Sequence, residues 1–226
     1  MGLREPVLLL LAAAVMLAAC GGRAPTPSPE VTTDVTALPT PRPEGPLSLE
    51  ETLQERRSVR EFSDEPLSAA ELGQLLWAAQ GFTTADGRRT APSAGALYPL
   101  ELYAVTAEGV FHCDPAAHAL ATWQRGDRRA GLAAAALSQE AVAEAPLVIA
   151  ITAVYARTEA KYGRDRGPRY VHLEAGHAAQ NILLQAVALG LGAVPMGAFD
   201  DRRVQDVLGL PADHVPLYLV PVGHPR

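Results

Sequence analysis

From Tyr170 to Phe199 the chain reads YVHLEAGHAAQNILLQAVALGLGAVPMGAF, with apolar residues at helical spacing through the first two-thirds. Ile182, Leu183, Ala186, Val187, Leu189 and Gly190 form a broad apolar surface, and Leu173, Ala175, Ala178 and Ala179 extend it. A helix apolar on most of its sides packs against partners rather than water. Gly190 and Gly192 end it, as glycine commonly ends helices. Ala193 to Phe199 then reads as an extended segment in which Gly197 allows close approach of something flat to the backbone. A long buried helix feeding a glycine-bearing segment predicts the floor of a cofactor site.

The rest of the pattern supplies further elements. Ser48 and Glu51 make an S-x-x-E capping box before a helix with Leu49 and Leu53 on one face. Ser68 and Glu71 repeat the box ahead of Leu72, Leu75, Leu76 and Ala79. Gly81 to Thr90 is a polar loop, and Ala91 to Pro99 is rich in small residues and turn formers. Leu100 to Thr106 alternates as a strand, with Gly109 to Cys113 as its hairpin partner. Ala130 to Ala143 is an alanine-rich helix, and Leu147 to Val154 is a continuous apolar run expected as a central strand. Arg157 to Arg169 reads as a charged loop, Asp200 caps a short helix to Leu208, and Leu217 to Val222 is a closing strand. Interleaved helices and strands with one clear hairpin indicate an α+β fold.

Composition narrows the class. Apolar residues make up 48% of 226, enough for a sizeable core, and the net charge of -6 provides no nucleic-acid footprint. Cys20 and Cys113 are the only cysteines and form neither a metal motif nor a disulfide framework. Arg4, the apolar run Val7 to Leu17 and the small residues before Cys20 describe an export signal. Leu17-Ala18-Ala19-Cys20 resembles a bacterial lipobox, which implies lipidation of Cys20 and anchoring on the extracytoplasmic side of the cell membrane. Seven prolines between residues 21 and 46 read as a disordered Pro/Thr-rich linker, leaving 47–226 as the folded domain.

Four groups of residues can carry chemistry. Arg56, Arg57, Ser58 and Arg60 cluster cationic and hydroxyl donors suited to phosphate oxygens, or form a solvated basic turn. Ser93 to Gly95 offers hydroxyl and amide donors beside Pro92. Lys161 and Tyr162 can exchange a proton with a substrate, or are two surface residues. Glu174 and His177 lie three apart on the long helix, but a metal site would need further ligands, so a structural hydrogen-bond role is expected and no metal. Dinucleotide-binding, P-loop and G-x-S-x-G motifs are absent.

The order of six segments resembles the FMN-dependent nitroreductase superfamily, in particular its SagB/ThcOx-type dehydrogenases. They are RRSVREF (56–62), APSAGALYP (91–99), KYG (161–163), RYVHLEAGHAAQN (169–181), GLGAVPMGAFDD (190–201) and PLYLVPVGHP (216–225). The resemblance spans Leu47 to Pro225 and implies a nitroreductase-like fold, a central mostly antiparallel sheet flanked by helices. It implies that Arg56, Arg57, Ser58 and Arg60 grip the FMN phosphate and ribityl chain. Pro92, Ser93, Ala94 and Gly95 would lie along the cofactor, Met196, Gly197 and Ala198 beside its ring, and Gly223, His224 and Arg226 at the phosphate end. Lys161 and Tyr162 match the pair that assists proton removal while the flavin takes a hydride. A homodimer with flavin at the interface, and a small-molecule or peptide substrate, follow from the same resemblance. Two other readings accompany it: a flavin-consuming or quinone-reducing variant, and a non-catalytic lipid-anchored binding protein on the same scaffold.

Overall fold

The computed structural model describes residues 1–2 and 34–226, so the expected signal segment and Cys20 lie outside the described residues. The sheet is built around β5 (Leu147–Ala153), which is buried at every position. Leu147, Ile149, Ile151 and Ala153 enter one core, and Val148 and Ala150 enter the other. A strand covered on both faces needs no polar alternation, which is why it reads as a continuous apolar run.

On one side β5 pairs with β2 (Leu100–Val105), which forms a hairpin with β3 (Gly109–Asp114). On the other side it pairs with β7 (Val215–Gly223). The full order is β1-β4-β3-β2-β5-β7-β6, with β1 Val35–Ala37, β4 Ala119–Arg125 and β6 Gly192–Ala193, and every strand pair is antiparallel. The expected α+β architecture is therefore met.

Helices α2 (Ala69–Gln80) and α5 (Tyr155–Ala188) supply the core on one face. Helices α3 (Arg129–Ala135), α4 (Glu140–Glu144) and α6 (Asp201–Leu208) supply it on the other. Both predicted capping boxes form: Ser48 opens α1 (Leu49–Glu55) and Ser68 opens α2, each with reciprocal serine–glutamate bonds.

Five features depart from the sequence expectation. The linker expected through residue 46 is ordered from residue 34. Proline-free Val35–Ala37 adds an edge strand to β4, Leu38 N–H donates to His118 O, and Arg42 and Gln74 exchange two hydrogen bonds. Proline is compatible with the flanks of an edge strand, which keeps one side unpaired.

Strand β4 carries no strand signal in the sequence, because its residues are mostly half-buried and lack clean alternation. The helix expected over Ala130–Ala143 is two helices, separated at Leu137 (φ 57) and Ser138 (φ 59). There Ser138 N–H turns back to Ala133 O, and the Gln139 side chain bonds Ala136 O and Ala198 O.

The charged loop over 157–169 is the start of α5, interrupted at Gly163 (φ 75, ψ 168). Most of its polar residues are solvent-facing helix, not loop, while Thr158 is buried. Helix α5 is also less buried than expected. Val171, Glu174, Ala175, Ala178, Ala179, Ile182, Leu183 and Ala186 face inward, while Leu173 stays 51% exposed.

Candidate active site

The arginine segment leaves α1 and joins the end of the sheet. Ser58 bridges Ala193, Val59 N–H donates to Ala193 O at 3.1 Å, and Ser63 N–H donates to His224 O at 2.9 Å. Phe62 pairs with Pro225 and is fully buried. Two glycines make this close docking possible. A Cβ on Gly192 would sit 2.6 Å from Val59 Cγ1, and one on Gly223 would sit 2.7 Å from Pro146 Cδ.

The backbone is thus held while the side chains of Arg57, Ser58 and Arg60 remain exposed and Arg56 half-exposed. Arg56, Arg57 and Arg60 make no ion pair among the described residues. Arg57 donates to the carbonyls of Gln54 and Arg56. Gly223, His224 and Arg226 arrive at the same place, although Arg226 is drawn toward Asp64 and Glu144 at 3.9 Å each. Guanidinium groups without carboxylate partners beside an exposed hydroxyl are a donor set that fits a phosphate.

Met196 is locked to Leu219 by reciprocal backbone bonds of 2.8 and 2.9 Å. The next two residues, Gly197 and Ala198, are exposed, and their N–H groups donate to no protein acceptor among the described residues. Gly197 lips a cavity of about 230 Å³ walled by His172, Ala175, Phe199, Leu217 and Tyr218. A Cβ there would meet only Tyr218, at 3.8 Å, so glycine keeps room that the fold does not fill. His172 is held by Tyr155, whose hydroxyl lies 2.6 Å from its Nε2.

The third group gathers around the turn after Pro92. Gly95 (φ 64), Ala96 (φ 54) and Tyr98 (φ 45) are all left-handed. For a residue with a Cβ that conformation costs about 1–2 kcal/mol. Several contacts hold the turn. Ser93 Oγ accepts from Tyr98 N–H at 2.9 Å, Arg157 Nη1 donates to Tyr98 O at 3.2 Å, and the Arg89 guanidinium lies 4.4 Å from the Tyr98 ring centre.

Lys161 and Tyr162 close on the same turn, just before the Gly163 break in α5. A Cβ on Gly95 would fall 2.7 Å from Lys161 Nζ and 2.9 Å from the Tyr162 hydroxyl. Glycine suits position 95 by backbone angle, and its missing Cβ leaves room for the ends of the Lys161 and Tyr162 side chains. Lys161 is the only lysine in a chain with 19 lysines and arginines together, a signal present in the sequence that spacing and motif reading passed over.

Beneath the turn lies a buried polar network that the motifs did not reveal. Glu174 (2% exposed) accepts from Gln80 Nε2 at 3.4 Å, and Gln80 Oε1 accepts from Arg89 Nη1 at 3.0 Å. Burial raises the Glu174 carboxyl above its ordinary range, against hydrogen bonds from Ser93 and Gln80 and the charge of Arg89. Nearby, burial pushes Glu101 up, but hydrogen bonds from His112 and Arg157 and the Arg157 charge outweigh it and hold Glu101 at about 2. Glu174 thus takes the structural hydrogen-bonding role expected of it. His177 is exposed, so the two do not converge, and among the described residues no group of three or more His, Cys, Asp or Glu is placed to hold a metal ion.

The structure brings the predicted residues together as separate groups rather than one. Among the described residues no hydrogen bond, ion pair or strand bridge joins the arginine segment to the Ser93–Gly95 turn. Glu174 lies under that turn, and Ala188, at the far end of α5, leads into β6 beside the arginines. The helix between them spans roughly 20 Å.

Comparison with known proteins places this geometry among relatives. The profile of the nitroreductase family matches residues 53–224. A provisionally named nitroreductase of Methanocaldococcus jannaschii is 45% identical over 183 residues, covering 78% of this chain and 91% of the relative. The crystal structure of a provisionally named nitroreductase from Ralstonia eutropha superposes with a TM-score of 0.78 at 30% identity, covering 91% of this chain and 96% of the other. A further such structure, from Anabaena variabilis, gives a TM-score of 0.70 at 33% identity, covering 79% of this chain and 38% of that longer one.

Proposed function

This chain belongs to the nitroreductase family of oxidoreductases, and from that premise we propose that it is an FMN-dependent dehydrogenase of the SagB type acting on a small organic or peptidic substrate. The observation that carries the finer reading is Lys161. The one lysine of an arginine-rich chain stands with Tyr162 against a strained turn that a motif reading assigns to the cofactor. Arginine stays protonated at all working pH values, whereas lysine can give up its proton and take it back.

When bound, the flavin supplies the two-electron chemistry, accepting or returning a hydride. Arg56, Arg57, Ser58 and Arg60 bind the phosphate, supported by the backbone at Gly223 and His224. The N–H groups of Gly197 and Ala198 would be available to the flavin ring, and Met196 holds that segment in place through its pairing with Leu219. Pro92, Ser93, Ala94 and Gly95 cover the cofactor. Lys161 Nζ and the Tyr162 hydroxyl hold the proton that the substrate releases or receives.

The separation of these groups along α5 supports a homodimer. In it the arginine segment and Gly197 of one subunit meet the Ser93–Gly95 turn and Lys161 of its partner. Leu49 (60% exposed), Leu53 (52%) and Leu173 (51%) provide apolar surface for such an interface.

For the N-terminus we retain the lipid anchor on Cys20 and the extracytoplasmic location.

The test is direct. Cys20→Ser protein, released from membranes, is yellow after purification or after FMN addition and frees FMN on denaturation. It oxidises an azoline peptide faster than it reduces nitroarenes or quinones. A colourless protein that takes up no FMN contradicts the reading, and a preference for nitroarenes or quinones removes the SagB assignment while leaving the family.

A further inference from the structure

The break at Gly163 folds the start of α5 back on the rest. Tyr155 reaches His172, 17 positions on, with its hydroxyl 2.6 Å from Nε2, and the Tyr162 and Tyr170 ring centres stand 4.7 Å apart. In a straight helix such a separation in sequence would span roughly 25 Å. A Cβ on Gly167 would lie 2.8 Å from Glu159 Cγ, so glycine lets the two arms touch. Residues 155–162 are thus a short arm, with Lys161 and Tyr162 at its tip.

One side chain ties this arm to the turn. Among the described residues, Arg157 is the only member of 155–162 whose side chain hydrogen-bonds to the turn or to β2. Its guanidinium is forked between two acceptors. Nη1 donates to Tyr98 O at 3.2 Å, and Nη2 donates to Glu101 Oε1. The other carboxylate oxygen, Glu101 Oε2, lies 2.7 Å from His112 Nε2 on β3. Glu101 is therefore engaged at both oxygens, and its side chain is only 15% exposed, which gives Arg157 a fixed anchor on the sheet. Arg157 lies one helical turn before Lys161, so the two side chains leave the same face of the arm.

We propose that Arg157 is a positioning residue: its forked guanidinium ties the arm to Tyr98 O and Glu101, and so sets the place of Lys161 beside Gly95. The inference rests on the reading of Lys161 as the group that handles the proton. A planar guanidinium meets two oxygens at once in a fixed geometry, which a single ammonium does not. Glu101, held at about 2, stays ionised as the partner of Arg157 at neutral pH.

Lys161 is the only lysine, so isotopic labelling of lysine at Cε gives one NMR signal, from Lys161. In FMN-loaded Cys20→Ser protein that signal lies apart from its position in the unfolded chain. In Arg157→Ala it moves toward the unfolded position and sharpens. Turnover of an azoline peptide falls about 10- to 100-fold in the same variant, the scale of an ångström-sized misplacement, with KM nearly unchanged and flavin content intact. In a Lys161→Ala background Arg157→Ala costs no further turnover, because a residue that acts through Lys161 then has nothing to position.

Glu101→Gln, which keeps Arg157 but removes its charged anchor, shifts the Lys161 signal the same way and serves if Arg157→Ala does not fold. A Lys161 signal unchanged in Arg157→Ala, or in Glu101→Gln where it stands in, overturns the proposal. So does an Arg157→Ala loss as large in the Lys161→Ala background as in the parent. Failure of the underlying reading looks different. Lys161→Ala is then unimpaired, and the Lys161 signal still decides whether Arg157 holds that side chain in place.

Discussion

The arginine segment 56–60 and the turn Gly95–Tyr98 sit at opposite ends of α5 and are built on opposite principles. The first is anchored through its backbone on two glycines and leaves its charges exposed and without ion-pair partners among the described residues. The second is strained in its backbone and held by side chains, most of them partly or fully buried. A site that grips phosphate needs accessible charge on a fixed rail. A site that manages a proton needs a defined position for a few atoms. On the proposed reading, the contrast assigns binding energy and chemistry to different structural devices.

The largest effect that sharpens this contrast is at Lys161. Lys161→Ala lowers turnover by about 10²–10⁴, the usual weight of a general acid or base, and leaves flavin content intact, as read by visible absorbance. Loss of flavin in that variant would move Lys161 to the binding side of the comparison.

Next come Arg56→Ala and Arg60→Ala. Each weakens FMN binding by about 1.5–3 kcal/mol in a flavin titration, with little effect on turnover at saturating flavin. Unchanged affinity in both would mean that the phosphate sits elsewhere.

A smaller effect tests the strain. Ala96→Gly relieves one left-handed residue, so thermal unfolding shows a gain of about 0.5–1 kcal/mol. Turnover falls at the same time, because the loosened turn no longer keeps a fixed place beside Lys161. A gain in both would show that the strain has no part in the reaction.

The smallest concerns acid stability near the turn. Glu101 is held at about 2 against an ordinary 4.5, so its contribution is present above the unfolded value and is lost as pH falls through that interval. Glu101→Gln therefore flattens the decline of Tm over that window, and an unchanged decline would assign acid loss to other carboxylates.

How much of this was legible in the sequence follows the range of the interactions. Capping boxes at Ser48–Glu51 and Ser68–Glu71 are local and read correctly. The apolar run of β5 carries its own burial in its composition. Strand β4 depends on neighbours far along the chain and left no periodic trace. The helical start of α5 is masked by charges that mostly face water, and the ordered segment 34–46 by prolines that flank an edge strand rather than forbid it.

Among the candidate site residues, Arg56–Arg60 and the glycines stand out by residue type. Glu174 does not, because the hydrogen bond it accepts comes from Gln80, 94 positions away in sequence. The spatial split between the two regions is not written in any motif, since it arises from the length of α5.

That split is the centre of the account, and one mixing experiment tests it. Arg56→Ala/Arg60→Ala protein and Lys161→Ala protein, each inactive at limiting FMN, are unfolded together, refolded with FMN and assayed on an azoline peptide. If each site takes its arginines from one subunit and its lysine from the other, mixed dimers contain one intact site. Activity then recovers to about a quarter of the parent's, the share that random reassortment into twofold dimers provides. If both groups serve the same site from one subunit, every site in the mixture remains defective, and a mixture no more active than its components would contradict the account.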